Sequence, residues 1–431
     1  MMRPIISFSP LAREAVERFA TALERSVPER PLARLSARPA VSVVIPIFNA
    51  PYALDRCLRS IRTSDTPETT EIVLVDDHSS DRRVDDVCTA FAASWRRTKH
   101  LRNSRNLGFV STVNRGIRES APDHDVLLLN SDTEATPGWL PRLSVAAHLD
   151  DATASVCALS NAAGVYSVPR AYGDHELPPG VTAPMAQRVL GFVSERALDP
   201  VPSTSGFCML IKRRAIERVG YLDDKLFLRG YGEENDWNER ASRVGLVHRV
   251  DCSRFILHAR GLSFGAAREQ LKRKNSRILQ VLHPGHAAAL RAWEKQDALG
   301  TVRTRYGALL DELRNASEAA RRAFFEAPVS LVVGTDPPPG GWDDRGARIS
   351  VLCRADGTVE IDLFGVARAR PPGLDARRAV FELAYRWDPT HLDVREPELR
   401  DRLRDVAGIF GLEKSFVEPA SMNGSTESSE M

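Results

Sequence analysis

The apolar run Val126-Leu127-Leu128-Leu129 leads straight into Asn130-Ser131-Asp132-Thr133, and far downstream Gly230-Tyr231-Gly232 precedes the acidic turn Glu233-Glu234-Asn235-Asp236 and Trp237. An unbroken apolar run is how a strand buried in a parallel sheet reads, and ligands of open α/β sheets lie just beyond the carboxyl ends of such strands. Asp132 is therefore expected beside a ligand, where its hard oxygens can hold Mg²⁺ or Mn²⁺ against phosphate. The same four residues also suit a plain turn. Glu233, Glu234 and Asp236 are expected in the first turn of a helix. Its dipole favours the ionised carboxylate that a general base needs, although three acids there are equally an ordinary helix start.

Other groups join them. Asp76-Asp77 closes the run Glu71-Ile72-Val73-Leu74-Val75, so both aspartates are expected at a strand's carboxyl end, able to accept from a base N–H or a ribose hydroxyl, or to cap a helix. Arg105 precedes Asn106-Leu107-Gly108-Phe109. A guanidinium there can offset phosphate charge, while Asn106 and Gly108 also suit a turn. His258 ends the run Arg254-Phe255-Ile256-Leu257, where a histidine is either a ligand or a structural group. Pro46-Ile47-Phe48-Asn49, at the first strand–helix junction, lacks the G-x-G-x-x-G fingerprint, which disfavours a nicotinamide enzyme.

Positioning these groups requires a sheet. Segments 41–48, 71–77, 99–103 and 125–132 read as strands, and 50–62, 85–95 and 110–119 have helical spacing. Strands alternating with helices of this length predict a doubly wound α/β domain with a mostly parallel sheet. A helix to about 149, a strand over 154–160 and an irregular Gly- and Pro-rich stretch over 161–201 follow, the last expected to shape an acceptor site. Next come a strand and helix over 205–220, a helix over 233–245 and a returning strand over 246–261, while 266–326 reads as helical and charged. From 329, strand-like segments joined at Asp356-Gly357 by a hairpin turn, then two helices, predict a small α+β module. The expected division is a helical extension and linker (1–39), the α/β domain (40–265), a helical segment (266–328), the small module (329–418) and a polar, disordered tail (419–431).

Bulk composition narrows the classes. The 59 basic and 57 acidic side chains nearly cancel, leaving no global field that would call for nucleic acid as partner. Six scattered cysteines without a C-x-x-C pair argue against zinc or a disulfide framework and for reduced thiols in a cytoplasmic compartment. No run approaches the roughly 20 apolar residues of a membrane span, so the expectation is a cytoplasmic protein with at most peripheral contact at the inner membrane face.

The stretches 41–51, 71–81, 105–109, 127–140, 206–213, 230–241 and 255–265, taken in order, resemble the family 2 glycosyltransferases of the GT-A fold, especially rhamnosyltransferase-like members that build bacterial surface polysaccharides. The resemblance implies an inverting, metal-dependent transferase. The donor would be a nucleoside-diphosphate sugar, UDP- or dTDP-linked, and the acceptor a hydroxyl of a carbohydrate or lipid-linked molecule. It implies that Pro46, Phe48, Asn49, Asp76, Asp77, Arg105, Asn106, Gly108, Asn114, Asn130, Ser131 and Asp132 line the donor site. Asp132 and His258 would hold the Mg²⁺ or Mn²⁺, and Gly206, Glu233 and Trp237 would lie on the acceptor side. The family's Asp-x-Asp begins here with Asn130, leaving one carboxylate for the metal. His78 stands where the family usually has Gly. The family's Glu-Asp-x-Asp turn makes the second acid the usual base; that position is Glu234, with Asp236 the alternative. Two rivals are a sugar nucleotidyltransferase, which should carry a Gly-rich basic loop after its first strand, and a catalytically silent nucleotide- or carbohydrate-binding module.

Overall fold

The computed structural model describes residues 9–24, 37–194, 198–259, 266–326, 328–336 and 347–412. The strands are β1 (Val41–Ile47), β2 (Glu71–Asp76), β3 (Thr98–Arg102), β4 (Asp125–Leu129), β5 (Thr133–Glu134), β6 (Thr153–Leu159), β7 (Leu198–Val201), β8 (Cys208–Ile211), β9 (Val247–Phe255), β10 (Leu257–His258), β11 (Val329–Gly334), β12 (Ala347–Cys353), β13 (Val359–Leu363), β14 (Ala367–Ala369) and β15 (His391–Val394). The helices are α1 (Pro10–Glu24), α2 (Pro51–Thr63), α3 (Arg83–Ser94), α4 (Phe109–Glu119), α5 (Trp139–His148), α6 (Ala183–Val193), α7 (Arg213–Val219), α8 (Glu233–Arg243), α9 (Ala266–Leu282), α10 (His286–Lys295), α11 (Gly300–Asn315), α12 (Glu318–Glu326), α13 (Ala376–Trp387) and α14 (Pro397–Phe410).

The main sheet has the order β3-β2-β1-β4-β8-β6-β9-β7. Pairing is parallel from β3 to β4 and between β6 and β9, while β8 lies antiparallel to both β4 and β6. Every residue of β1, β2, β4 and β6 is buried, which is why these strands read as continuous apolar runs. The mostly parallel α/β architecture and the smaller C-terminal sheet are both as the sequence predicts.

One local feature opens the ligand edge. β1 pairs with β2 through Ile47 but with β4 only as far as Val44. The two central strands therefore part company at their carboxyl ends, where the strand order turns back. Pro46, which has no N–H to give, falls in this half-paired stretch, so its presence in a central strand breaks no bond to β4. It is buried and backs the cleft rather than lining it.

The C-terminal region is not independently packed. Its five-stranded sheet, β14-β13-β12-β11-β15, shares one continuous apolar cluster with the main domain, running from Ala12 to Leu412. Phe192 of α6 meets Phe324, Phe364 and Trp387, with ring centroids 5.0, 5.9 and 4.9 Å away. Arg142 of α5 donates to the carbonyls of Ala384 (2.9 Å) and Tyr385 (3.2 Å), and Arg254 of β9 donates to Tyr385 (3.3 Å). Two cations thus satisfy the last carbonyls of α13, the end of a helix that carries partial negative charge. Burial pulls the Arg142 guanidinium down to about 10, offset by its 2.6 Å ion pair with Asp388. The Tyr385 hydroxyl donates to Asp251 at 2.6 Å.

Other differences from the sequence reading are local. The stretch 161–201 contains α6, and residues 25–36 of the expected extension and linker (1–39), like the tail from 419, lie outside the described residues. Removing residues 329–431 would strip an apolar face and leave Arg142 buried without its carboxylate. We expect that truncation to yield aggregated or partly unfolded protein, read by loss of a cooperative thermal transition, and not a working main domain.

Candidate functional site

β4 delivers Asn130 to the ligand edge, where its N–H continues the ladder to Phe207 O (2.9 Å). The chain then turns: Asn130 O accepts from the Thr133 hydroxyl at 2.7 Å and from the Thr133 N–H at 3.3 Å. The turn leads into β5, which pairs antiparallel with β10 so that Thr133 faces His258, and Ala259 N donates to Asp132 O at 2.8 Å. This ribbon sets the two expected metal ligands side by side. His258 Nε2 lies 3.1 Å from Asp132 Oδ1, with the imidazole buried and the carboxylate partly open.

His258 is anchored by residues that sequence reading did not single out. Asn161 accepts from its N–H (2.8 Å) and donates to its carbonyl (3.2 Å), and the Phe207 ring stacks on the imidazole at 5.3 Å and 12°. Nδ1 lies 3.0 Å from the carbonyl of Ala162, which can only accept, so Nδ1 carries the hydrogen. The neutral ring then presents a bare Nε2 lone pair to a carboxylate oxygen. Two acceptors at hydrogen-bond distance are stable only with positive charge between them. A second proton or a cation supplies it, and an imidazole whose other nitrogen donates to a backbone carbonyl is the arrangement of a metal-bound histidine. The residues present thus fit a divalent ion. Among the described residues no group of three or more His, Cys, Asp or Glu gathers.

Across the cleft, Gly230, Tyr231 and Gly232 have φ values of 88°, 68° and 120°, a sharp left-handed bend that aims the start of α8. Glu234 is half-buried and its Oε2 accepts from Gly232 N at 3.2 Å. Glu233 is buried, and its Oε2 has no hydrogen-bond partner within the described residues. Burial, then the charge of Glu234, pushes the Glu233 carboxyl well above the usual range. Glu233 is thereby favoured in its protonated form.

Asp236 is otherwise engaged. Its two oxygens meet Arg240 Nε and His283 Nε2, each at 2.8 Å, so it ties α8 to the segment between α9 and α10. Trp237, expected on the acceptor side, is 1% exposed and gives its indole N–H to Gly220 O at 2.8 Å. It is a core residue, buried because the apolar stripe of α8 faces the sheet. Gly206 does lie at the site: a β-carbon there would sit 3.7 Å from Glu234 Cβ. Gly206 and Phe207 together link the acid to the metal pair, one residue against Glu234 and the next against His258. Neighbouring Cα atoms are about 3.8 Å apart, so one short stretch of backbone touches both groups.

The side expected to hold a nucleotide is more thoroughly tied by its own chain. Asp77 accepts from Asn103 Nδ2 (2.8 Å), Leu107 N (2.7 Å) and Gly108 N (2.9 Å), and so shapes the 105–109 loop. Asp76 accepts from Ser79 N (2.8 Å) and pairs with Arg102. Asn49 Oδ1 receives the N–H groups of Ser80 and Asp81. His78 has φ 60°, which accounts for the glycine usual at that place in the family it resembles. Gly108 has no alternative: a β-carbon there would lie 2.4 Å from Leu228 O, at φ 86°. Asn114 is buried with its amide bonded to both backbone groups of Leu222 (2.8 and 3.2 Å), so it holds a loop instead of facing the site. Phe48, Arg105, Asn106, Ser131 and Asp132 keep exposed or partly exposed side chains, with Phe48 42% exposed.

Parts of the chain are similar to known proteins. The family model described as Glycosyl transferase family 2 matches residues 42–220. An uncharacterised protein of Mycobacterium tuberculosis is 38% identical over 110 residues, 25% of this chain and 32% of that protein. An undecaprenyl-phosphate 4-deoxy-4-formamido-L-arabinose transferase of Pectobacterium carotovorum is 34% identical over 107 residues, 24% of this chain and 32% of that one. The chain thus spans about a third of the length of these curated relatives. Among solved structures, GalNAc-T7 with UDP, GalNAc and Mn²⁺ is a distant likeness at 14% identity, covering 75% of this chain and 64% of that one with a TM-score of 0.45. A mannosyltransferase from Pyrobaculum calidifontis in complex with GDP-Man and Mn²⁺ stands at 15% identity, 74% and 93% coverage, and a TM-score of 0.39. The stretch that carries β1, the cleft and Asp132, residues 42–220, is thus similar to glycosyl transferase family 2.

Proposed function

We propose that the protein is an inverting, metal-dependent glycosyltransferase that moves a sugar from a UDP- or dTDP-linked donor to a hydroxyl of a carbohydrate or lipid-linked acceptor, in the synthesis of a surface polysaccharide. The observation that carries this reading is the pairing of Asp132 with the tautomer-fixed His258 on one side of Gly206-Phe207 and Glu234 on the other. The relative named for undecaprenyl phosphate supports a lipid-linked partner.

In this reading Asp132 and His258 would hold Mn²⁺ or Mg²⁺, which would supply Lewis-acid charge to the departing diphosphate. Phe48 gives the nucleotide base a surface to lie against, and Arg105 faces its phosphate charge. Glu234 takes the proton of the acceptor hydroxyl as that oxygen bonds to the anomeric carbon, and the bond to the diphosphate breaks on the opposite face. Asp76 and Asp77 act through the loops they hold.

The direct test is thermal unfolding with a panel of nucleoside-diphosphate sugars, with and without Mn²⁺. A ligand that binds only the folded state raises its stability by about 2.7 kcal/mol at a hundred times its dissociation constant. We expect one donor class to raise the melting temperature in a metal-dependent way and to be slowly hydrolysed. Stabilisation without any turnover would favour a silent binding module, and no response from any donor would sink the reading.

A further inference from the structure

We propose that the loop 225–229 together with α9 docks the protein on an anionic lipid surface. The loop reads Lys225-Leu226-Phe227-Leu228-Arg229. Phe227 is fully buried and anchors it, whereas Leu226 and Leu228 are 43% and 47% exposed, with exposed Lys225 and Arg229 on either side. The exposure is built in, because the loop is held from within. Asp223 Oδ1 accepts from the N–H groups of Lys225 and Leu226, both at 2.9 Å, and Gly230 N donates to Phe227 O at 2.7 Å.

α9 lies against this loop. Asn275 Nδ2 donates to Gly230 O at 2.7 Å, and Lys272 sits over the Tyr231 ring at 5.6 Å. The helix buries Asn275 and Leu279 and exposes Arg273, Lys274, Arg277 and Val281, the last 80% exposed. Lys274, Arg277 and Val281 are spaced three and four apart and so share one face. Two adjoining elements thus each present cations beside exposed aliphatic groups. Cations alone would suit any polyanion, but leucines set between them gain only where an apolar phase lies just beneath the negative charge, as at a membrane of anionic lipids. The loop also abuts the cleft, since Leu228 O accepts from Val110 N at 3.4 Å beside Gly108. Docking here would set the mouth of the cleft at the lipid surface. Lipid binding needs neither donor nor turnover, so this proposal and the transferase reading succeed or fail separately.

The test is co-sedimentation of the full chain with vesicles of phosphatidylglycerol and phosphatidylcholine, against vesicles of phosphatidylcholine alone, at low and high salt. Binding to the anionic vesicles only, weakened by salt, is the expected result. The pair Leu226→Asn and Leu228→Asn, and separately the pair Lys274→Gln and Arg277→Gln, should each reduce partitioning on the order of tenfold or more with unchanged thermal unfolding. No partitioning by the wild-type chain, equal binding to neutral vesicles, or wild-type partitioning by both well-folded double variants would overturn it.

Discussion

Glu234→Gln should cut sugar transfer by at least about a hundredfold, the usual scale for a lost general base, while leaving metal-dependent donor binding intact. Glu233→Gln should behave oppositely. Burial and the charge of Glu234 keep the Glu233 carboxyl protonated, so an amide of the same shape replaces what is already a neutral group. Transfer by that variant should stay within a few fold of normal, a small loss on the same scale. Stability offers a second readout. Unfolded Glu233 ionises near its ordinary value of 4.5 whereas the folded residue holds its proton, so the native state loses stability as pH rises above that value. Glutamine has no such proton. The melting temperature of Glu233→Gln should therefore match wild type near pH 4 and exceed it increasingly toward pH 7. If Asp236→Asn stops transfer in a well-folded protein while Glu234→Gln does not, the base assignment moves to Asp236, despite its ties to Arg240 and His283.

Asp132→Ala is expected to abolish turnover and the Mn²⁺-dependent part of nucleotide binding, because it removes the carboxylate that faces the His258 lone pair. His258→Ala should act more mildly. Asn161→Ala, which touches neither substrate nor metal in this reading, should weaken Mn²⁺ affinity by about ten- to a hundredfold through loss of the anchors on His258. Calorimetric titration of Mn²⁺ in the presence of nucleotide measures all three. Full turnover in excess chelator, or unchanged Mn²⁺ affinity in Asp132→Ala, would remove the metal from the mechanism.

The α/β domain is legible in the sequence alone, because strands buried on both faces must be apolar throughout and the helices between them must be amphipathic. The sequence also marks where chemistry could lie: Asp132 follows β4, and Glu234 opens α8, both by simple adjacency in the chain. Short edge strands such as β7 and β15, and α6 within its Gly- and Pro-rich surroundings, leave weak periodic signals and were not legible. Roles that depend on a partner distant in sequence were decided only by the tertiary structure. Nothing local to Asp236 says that His283 occupies it, or that Asn114 is spent on Leu222, or that Trp237 faces the core. The same holds for the C-terminal module. Three of its strands and both its helices were readable, but the fit of Phe192 against Trp387, and of Arg142 and Arg254 against the end of α13, depends on side chains far apart in the chain. Periodicity records which face of an element is buried. What that face is buried against is a property of the packed chain.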